Sequence, residues 1–208
     1  MMTLSFSPTR DTPETNASHA IVVGVYEDSL LSPSAARLDE RSGGVLKRLI
    51  ESGDASGKLG NSALLLGLND IASPRIVVIG LGEQKKFDSA AYHRASHEAG
   101  RALKKLPIAS ATSYLTEIDV PGRDLGWKIQ VAALAADHTS YRYTSTFKAK
   151  APSKHPMLET VSFASSGDTS AALSSAAAIA AGVLFARDLG NLPPNICNPA
   201  YVADQARK

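Results

Sequence analysis

The sequence predicts an α/β fold, a mixed sheet flanked by helices, followed by one long connecting helix. Three observations carry this. Residues 20–26 (AIVVGVY) and 75–82 (RIVVIGLG) are β-branched runs of the kind that form buried strands. Segments of helical period alternate with them, most clearly residues 88–106. Residues 169–191 hold apolar side chains on most faces of one long helix.

In chain order, residues 3–7 (TLSFS) alternate and read as a first strand, and the polar stretch 8–18 as a loop. Residues 20–26 form the next strand. In 43–54, Val45, Leu46, Leu49 and Ile50 recur at helical spacing up to Gly53. Residues 62–68 and 75–82 read as strands joined by the turn-forming NDIASP, with Pro74 ahead of the second strand. Residues 88–106 are amphipathic, with Ala91, Ala95, Ala99, Ala102 and Leu106 as the inner stripe and Asp88 as the cap; Pro107 ends the helix. Residues 110–115 read as a strand, 125–141 as a largely buried helix and 158–164 as a late strand. The long helix is expected to stop at Gly190, acting as a C′ glycine, and at Pro193-Pro194. Asn198 then caps a last helix with Pro199 in its first position. The first two strands have only a loop between them, which predicts a mixed sheet. The domain divisions read as 1–167, 168–191 and 192–208.

The composition of the 208 residues, 44% hydrophobic and 20% charged with a net charge of +2, is that of an ordinary globular protein and does not by itself declare a nucleic-acid partner. Cys197 is the sole cysteine, so no intrachain disulfide forms, which fits a reducing compartment. The first twenty residues lack a signal-peptide pattern, and no uninterrupted apolar run of about 18 residues predicts a membrane span. A cytoplasmic protein without membrane contact is expected. The sequon at Asn16 is then a chance match.

No catalytic constellation is legible. Gly80 and Gly82 follow a strand as in a dinucleotide fingerprint, but the third glycine position holds Lys85, so a tight strand-to-helix loop is the better reading. His93 and His97 share a helix face beside Arg101 and Lys104, opposite the alanine stripe, and read as solvated rather than metal-ligating. Cys197 lacks a downstream histidine base and reads as a small buried hydrophobe. Two basic stretches, Lys85, Lys86, Arg101, Lys104 and Lys105, and Arg142, Lys148, Lys150 and Lys154, the latter interleaved with Tyr141, Tyr143 and Phe147, are the candidate nucleic-acid contacts.

The most informative stretch is 186–206, ARDLGNLPPNICNPAYVADQA. It resembles the segment that opens the catalytic domain in the leucyl (cytosol) aminopeptidase family: a helix ending Ala186-Arg187-Asp188-Leu189, then Asn191, the turn Pro193-Pro194-Asn195, and a helix starting at Pro199. Residues 75–88 with the helix ending RALKKL, and the segment SYRYTSTFK, are similar to that family's N-terminal domain. The resemblance implies a macro-domain-like N-terminal domain and a connecting helix. It also implies a homohexamer and, in the full-length enzyme, a second domain with two divalent metals, zinc or manganese with magnesium. One ion would hold the free amine and the pair would activate a bridging water. The family's metal ligands lie beyond this stretch, so no catalytic or metal residue is assigned here. The expectation is an inactive N-terminal portion of an aminopeptidase preferring leucine, its partner being its own catalytic domain, with residues 199–208 poorly anchored. Alternatives are a DNA- or nucleotide-binding module acting in recombination or transcriptional control, and a scaffold for assembly.

Overall fold

The computed structural model describes residues 4–147 and 155–207. Six strands, β1 (Ser5–Thr9), β2 (Ile21–Val25), β3 (Ser62–Leu66), β4 (Arg75–Gly80), β5 (Ser110–Ser113) and β6 (Thr160–Ala164), form one sheet in the order β1-β6-β5-β2-β4-β3. The helices are α1 (Pro33–Arg41), α2 (Val45–Glu51), α3 (Ser89–Lys104), α4 (Leu125–Ser140), α5 (Ser170–Asn191) and α6 (Pro199–Ala206). All strand pairs are parallel except β3 with β4. The sheet is therefore mixed, but for a different reason from the loop between the first two strands. β1 does not touch β2; it lies at the far edge beside β6, with Phe6 opposite Val161. Pro8 explains the position, because a strand residue without an N–H is tolerated at an edge.

Alternation along the central strands separates two packed layers. Val22, Val77 and Ile79 face α3 and α4, where Tyr92, Ala95 and Leu103 meet them. Ile21, Val23, Ile76 and Val78 face the other way, onto Leu38 of α1 and Leu46 of α2. A third cluster joins Val161 and Phe163 of β6 to Ile129 and Ala133 of α4 and to Leu173 and Ala176 of α5.

Helix α1 is an element the hydrophobic pattern does not predict. Its signal is local: Ser32 caps it through the Ala35 N–H and Pro33 occupies the first turn. Asp88, Asp124 and Asn198 cap α3, α4 and α6 by the same device. Gly190 is not a left-handed C′ residue. Helix α5 runs through it to Asn191, and the break falls at Leu192 ahead of Pro193.

Only Leu173, Ala176 and Ala180 of α5 are buried, and the first two pack into the cluster with α4 and β6. Ile179, Val183 and Phe185 stay exposed. Contrary to the sequence reading, α5 is long and apolar enough to cross a membrane by length and composition, with a mean hydropathy of 1.5. One such helix is a weak sign, and this one is docked on α4 and carries Arg187 and Asp188 near its C-terminal end. Helix α6 has no buried residue.

Candidate functional site

At the ends of β2 and β4, the two glycines of the broken fingerprint meet another loop rather than open space. A Cβ on Gly80 would stand 2.1 Å from the Lys58 carbonyl oxygen, and Gly82 sits at φ +80 against Leu59. The amides that would cradle a phosphate are used within the chain. Gly80 N–H donates to Asn61 O at 2.9 Å and Gly82 N–H to Gly57 O at 2.7 Å. Gly57 in turn lies against Tyr26 O, 2.1 Å from where its Cβ would be. The motif is thus a tight packing of residues 56–61 onto the strand end, and neither glycine amide is free to donate to a phosphate.

The candidate basic residues fall at two ends of α3. Lys85 and Lys86 lie in a 3-10 turn (Gln84–Lys86) before it, and Lys86 pairs with Glu83 at 2.7 Å. Arg101, Lys104 and Lys105 lie at its other end, about 24 Å along a helix of 16 residues. Arg101 is engaged by Glu98 at 3.5 Å. Arg142, just after α4, joins Lys104 and Lys105 on the rim of a cavity of about 640 Å³. Lys148, Lys150 and Lys154 lie outside the described residues. The apolar part of its lining comes from Leu4, Leu106, Met157, Leu158 and Leu184, and Asp137 and Glu159 also line it. Lys104 donates to Tyr141 O at 3.2 Å. Burial, then the neighbouring Arg142 charge, lowers its pKa below the ordinary lysine value.

Between α3, α4 and α5 lies a polar cluster that charge runs and metal spacings do not reveal. His97 packs edge-on against His138, with ring centres 5.3 Å apart, so it is half-buried rather than solvated. His93 stacks edge-on against Trp127. Arg187 donates to His138 Nδ1, and its guanidinium carbon lies 5.1 Å from the Tyr141 ring centre. Tyr141 OH donates to Asp188 Oδ1 at 3.0 Å and accepts from Asn191 Nδ2 at 2.9 Å. Both histidines are held below the usual imidazole range. Burial is the first cause for each, followed by the His138 charge for His97 and the Arg187 charge for His138. The available signal in the sequence is the spacing of Asp188 and Asn191, one turn apart at the end of an otherwise apolar helix.

Among the described residues no three His, Cys, Asp or Glu side chains converge in a metal-holding group. The closest histidine pair, His97 with His138, faces the cations Arg101 and Arg187, so these residues do not fit a divalent ion. Cys197 is half-buried rather than a core residue.

Residues 22–151 match the cytosol aminopeptidase family, N-terminal domain. A probable cytosol aminopeptidase of Xylella fastidiosa strain M12 is 44% identical over 203 residues, covering 98% of this chain and 41% of that protein. The chain belongs to the cytosol aminopeptidase family. A relative from Xanthomonas oryzae pv. oryzae strain MAFF 311018 is also 44% identical, over 99% of the chain and 41% of its own length. The chain therefore spans about two-fifths of the length of these relatives. Among solved structures, a tomato leucine aminopeptidase mutant superposes with a TM-score of 0.78 at 22% identity, over 99% of this chain and 42% of the other. The macrodomain of Mycobacterium tuberculosis DarG superposes at 0.56 with 12% identity, over 78% of this chain and 99% of that one. These two establish the macrodomain-like fold. A bottromycin maturation enzyme, BotP in complex with Mn, superposes at 0.68 with 19% identity, over 92% and 36% of the two chains.

Proposed function

We propose that this chain is the N-terminal, non-catalytic portion of a cytoplasmic leucyl aminopeptidase. The full-length protein would release N-terminal residues, preferably leucine, from peptides by two-metal hydrolysis, as a homohexamer. One observation carries the reading: 44% identity runs along nearly the whole chain, onto cytosol aminopeptidases more than twice as long. The manganese in a structurally similar enzyme supports the metal dependence of the parent. Zinc or magnesium would serve the same two-ion chemistry, with ligands from outside these residues. Here the chain's own work is to present a helix end of set direction to its catalytic domain. Purified 1–208 incubated with leucine p-nitroanilide and manganese should release no p-nitroaniline above background. Turnover by this chain would sink the proposal.

A second reading, contact with nucleic-acid phosphates, is supported by Lys104, Lys105 and Arg142 sharing one rim. Phosphate contacts are strongest at low salt, so a mobility shift at about 50 mM that disappears at about 200 mM would favour it. No shift at the lower salt would remove it.

A further inference from the structure

We propose that the cavity beneath Lys104 and Arg142 binds an amphipathic monoanion, an aliphatic chain ending in a carboxylate. Its volume of about 640 Å³ falls among small-molecule pockets, which are mostly apolar with a few convergent polar groups. The leucine and methionine side chains of the lining take the chain, and the rim takes the head. Three donors on that rim lack an acidic partner. Neither Lys104 nor Arg142 forms an ion pair among the described residues. Ser140 lines the same cavity, and its Oγ is buried with no hydrogen-bond partner among the described residues. A buried hydroxyl without a partner carries a cost that one carboxylate would relieve, and two adjacent like charges, Lys104 and Arg142, favour an anion beside them.

The other charges on the wall set the size of the head. Asp137 and Glu159 line the cavity together with Lys105, His155 and Tyr141. Asp137 is already placed: the Leu4 backbone N–H donates to it, and Arg187 lies near. Two carboxylates on the wall oppose a polyanion, so a single carboxylate fits better than a phosphodiester chain or a polyphosphate. The proposal is independent of the peptidase reading, because its readout is binding to this chain and not turnover.

Calorimetric titration of the 208-residue chain with decanoate, below its micelle concentration, should give saturable one-to-one binding. Decanol, with no charge, and acetate, with no chain, should bind at least about tenfold more weakly. Octyl phosphate distinguishes a carboxylate head from a phosphate one. Lys104→Met and Arg142→Met should each weaken decanoate about tenfold. Arg142 is exposed, so its variant keeps the fold even where the Lys104 change disturbs it. The proposal is overturned by any of four results: no saturation, decanol binding as tightly as decanoate, tighter binding of octyl phosphate, or an unchanged affinity in the Arg142 variant.

Discussion

Gly100→Ala tests how α3 and α4 are held together, and through them the geometry of the cavity at their C-terminal ends. An added Cβ would stand 2.2 Å from Thr139 Oγ1 and 3.1 Å from the Ala135 carbonyl oxygen. Alanine in a helix interior is favoured over glycine by about 1 kcal/mol, which opposes the clash. Two responses are open to the structure. Thr139 can turn away, giving up its donation to Ala135 O at 2.8 Å and leaving a buried hydroxyl unpaired at a cost of about 1–3 kcal/mol. Alternatively the helices separate, and overpacking of this kind costs about 1–3 kcal/mol. With the helix-propensity gain subtracted from the middle of that range, a net loss of about 1 kcal/mol is expected, or roughly 2–4 °C in Tm for a chain of this size. Urea denaturation followed by circular dichroism measures it. The second arm is the same change in a Thr139→Ala background. There the oxygen is gone, the remaining approaches of 3.1 Å to Ala135 O and 3.2 Å to the Cβ at position 139 offset the helix-propensity gain, and Gly100→Ala should be close to neutral, with a coupling of about 1 kcal/mol between the two sites. An unchanged or raised midpoint for Gly100→Ala alone, or the same penalty in both backgrounds, would refute the reasoning.

Gly80→Ala should cost about 3 kcal/mol or more in a urea melt, because its Cβ would meet the Lys58 carbonyl rather than a movable side chain; an unchanged midpoint would mean that residues 56–61 do not sit on β4. Tyr141→Phe should speed hydrogen exchange at the end of α5 while leaving β4 amides protected, and equal exchange in both proteins would remove the tie to Asp188 and Asn191. The lowered His97 and His138 pKa values mean that the unfolded chain takes up protons first, near pH 6.5, so their contribution is complete above that pH and lost as pH falls toward the folded values. The urea midpoint should therefore drop between about pH 7 and pH 5, and a His97→Gln/His138→Asn variant that keeps the same slope would show that other groups cause it.

The strands and long helices were legible because each shows its period within a few residues. Ala20 to Tyr26 is a continuous β-branched run, and the alanines of α3 recur at helical spacing. What was illegible is non-local. The order of strands depends on which edge buries Phe6 against Phe163, whose rings lie 6.1 Å apart, and local periodicity does not record that pairing. Pro8 held the one usable hint. Helix α1 is not legible from periodicity because its mean hydropathy is low and its start is marked by Ser32 and Pro33 rather than by an apolar stripe. The candidate cavity was half legible. Lys104, Lys105 and Arg142 were singled out as basic, but the apolar lining comes from Leu4, Met157, Leu158 and Leu184, which are scattered along the chain. Ser140 carries no signal at all, since an orphaned hydroxyl is visible only once its neighbours are placed.

The tail motif that resembles the family's interdomain segment acquires a structural role in this chain. Arg187, Asp188 and Asn191 all spend their polar groups inside this chain, on His138 and Tyr141. An apolar helix of 22 residues that buries only Leu173, Ala176 and Ala180 has little to stop its far end from fraying. These three polar residues supply directional contacts where packing is absent, and they lie immediately before the Pro193-Pro194 break. The direction in which the chain enters α6 is therefore set by hydrogen bonds to the end of α4. A change at Tyr141 would alter it from about fifty residues away. The arrangement requires three side chains near one helix end to match a tyrosine and a histidine at the end of another.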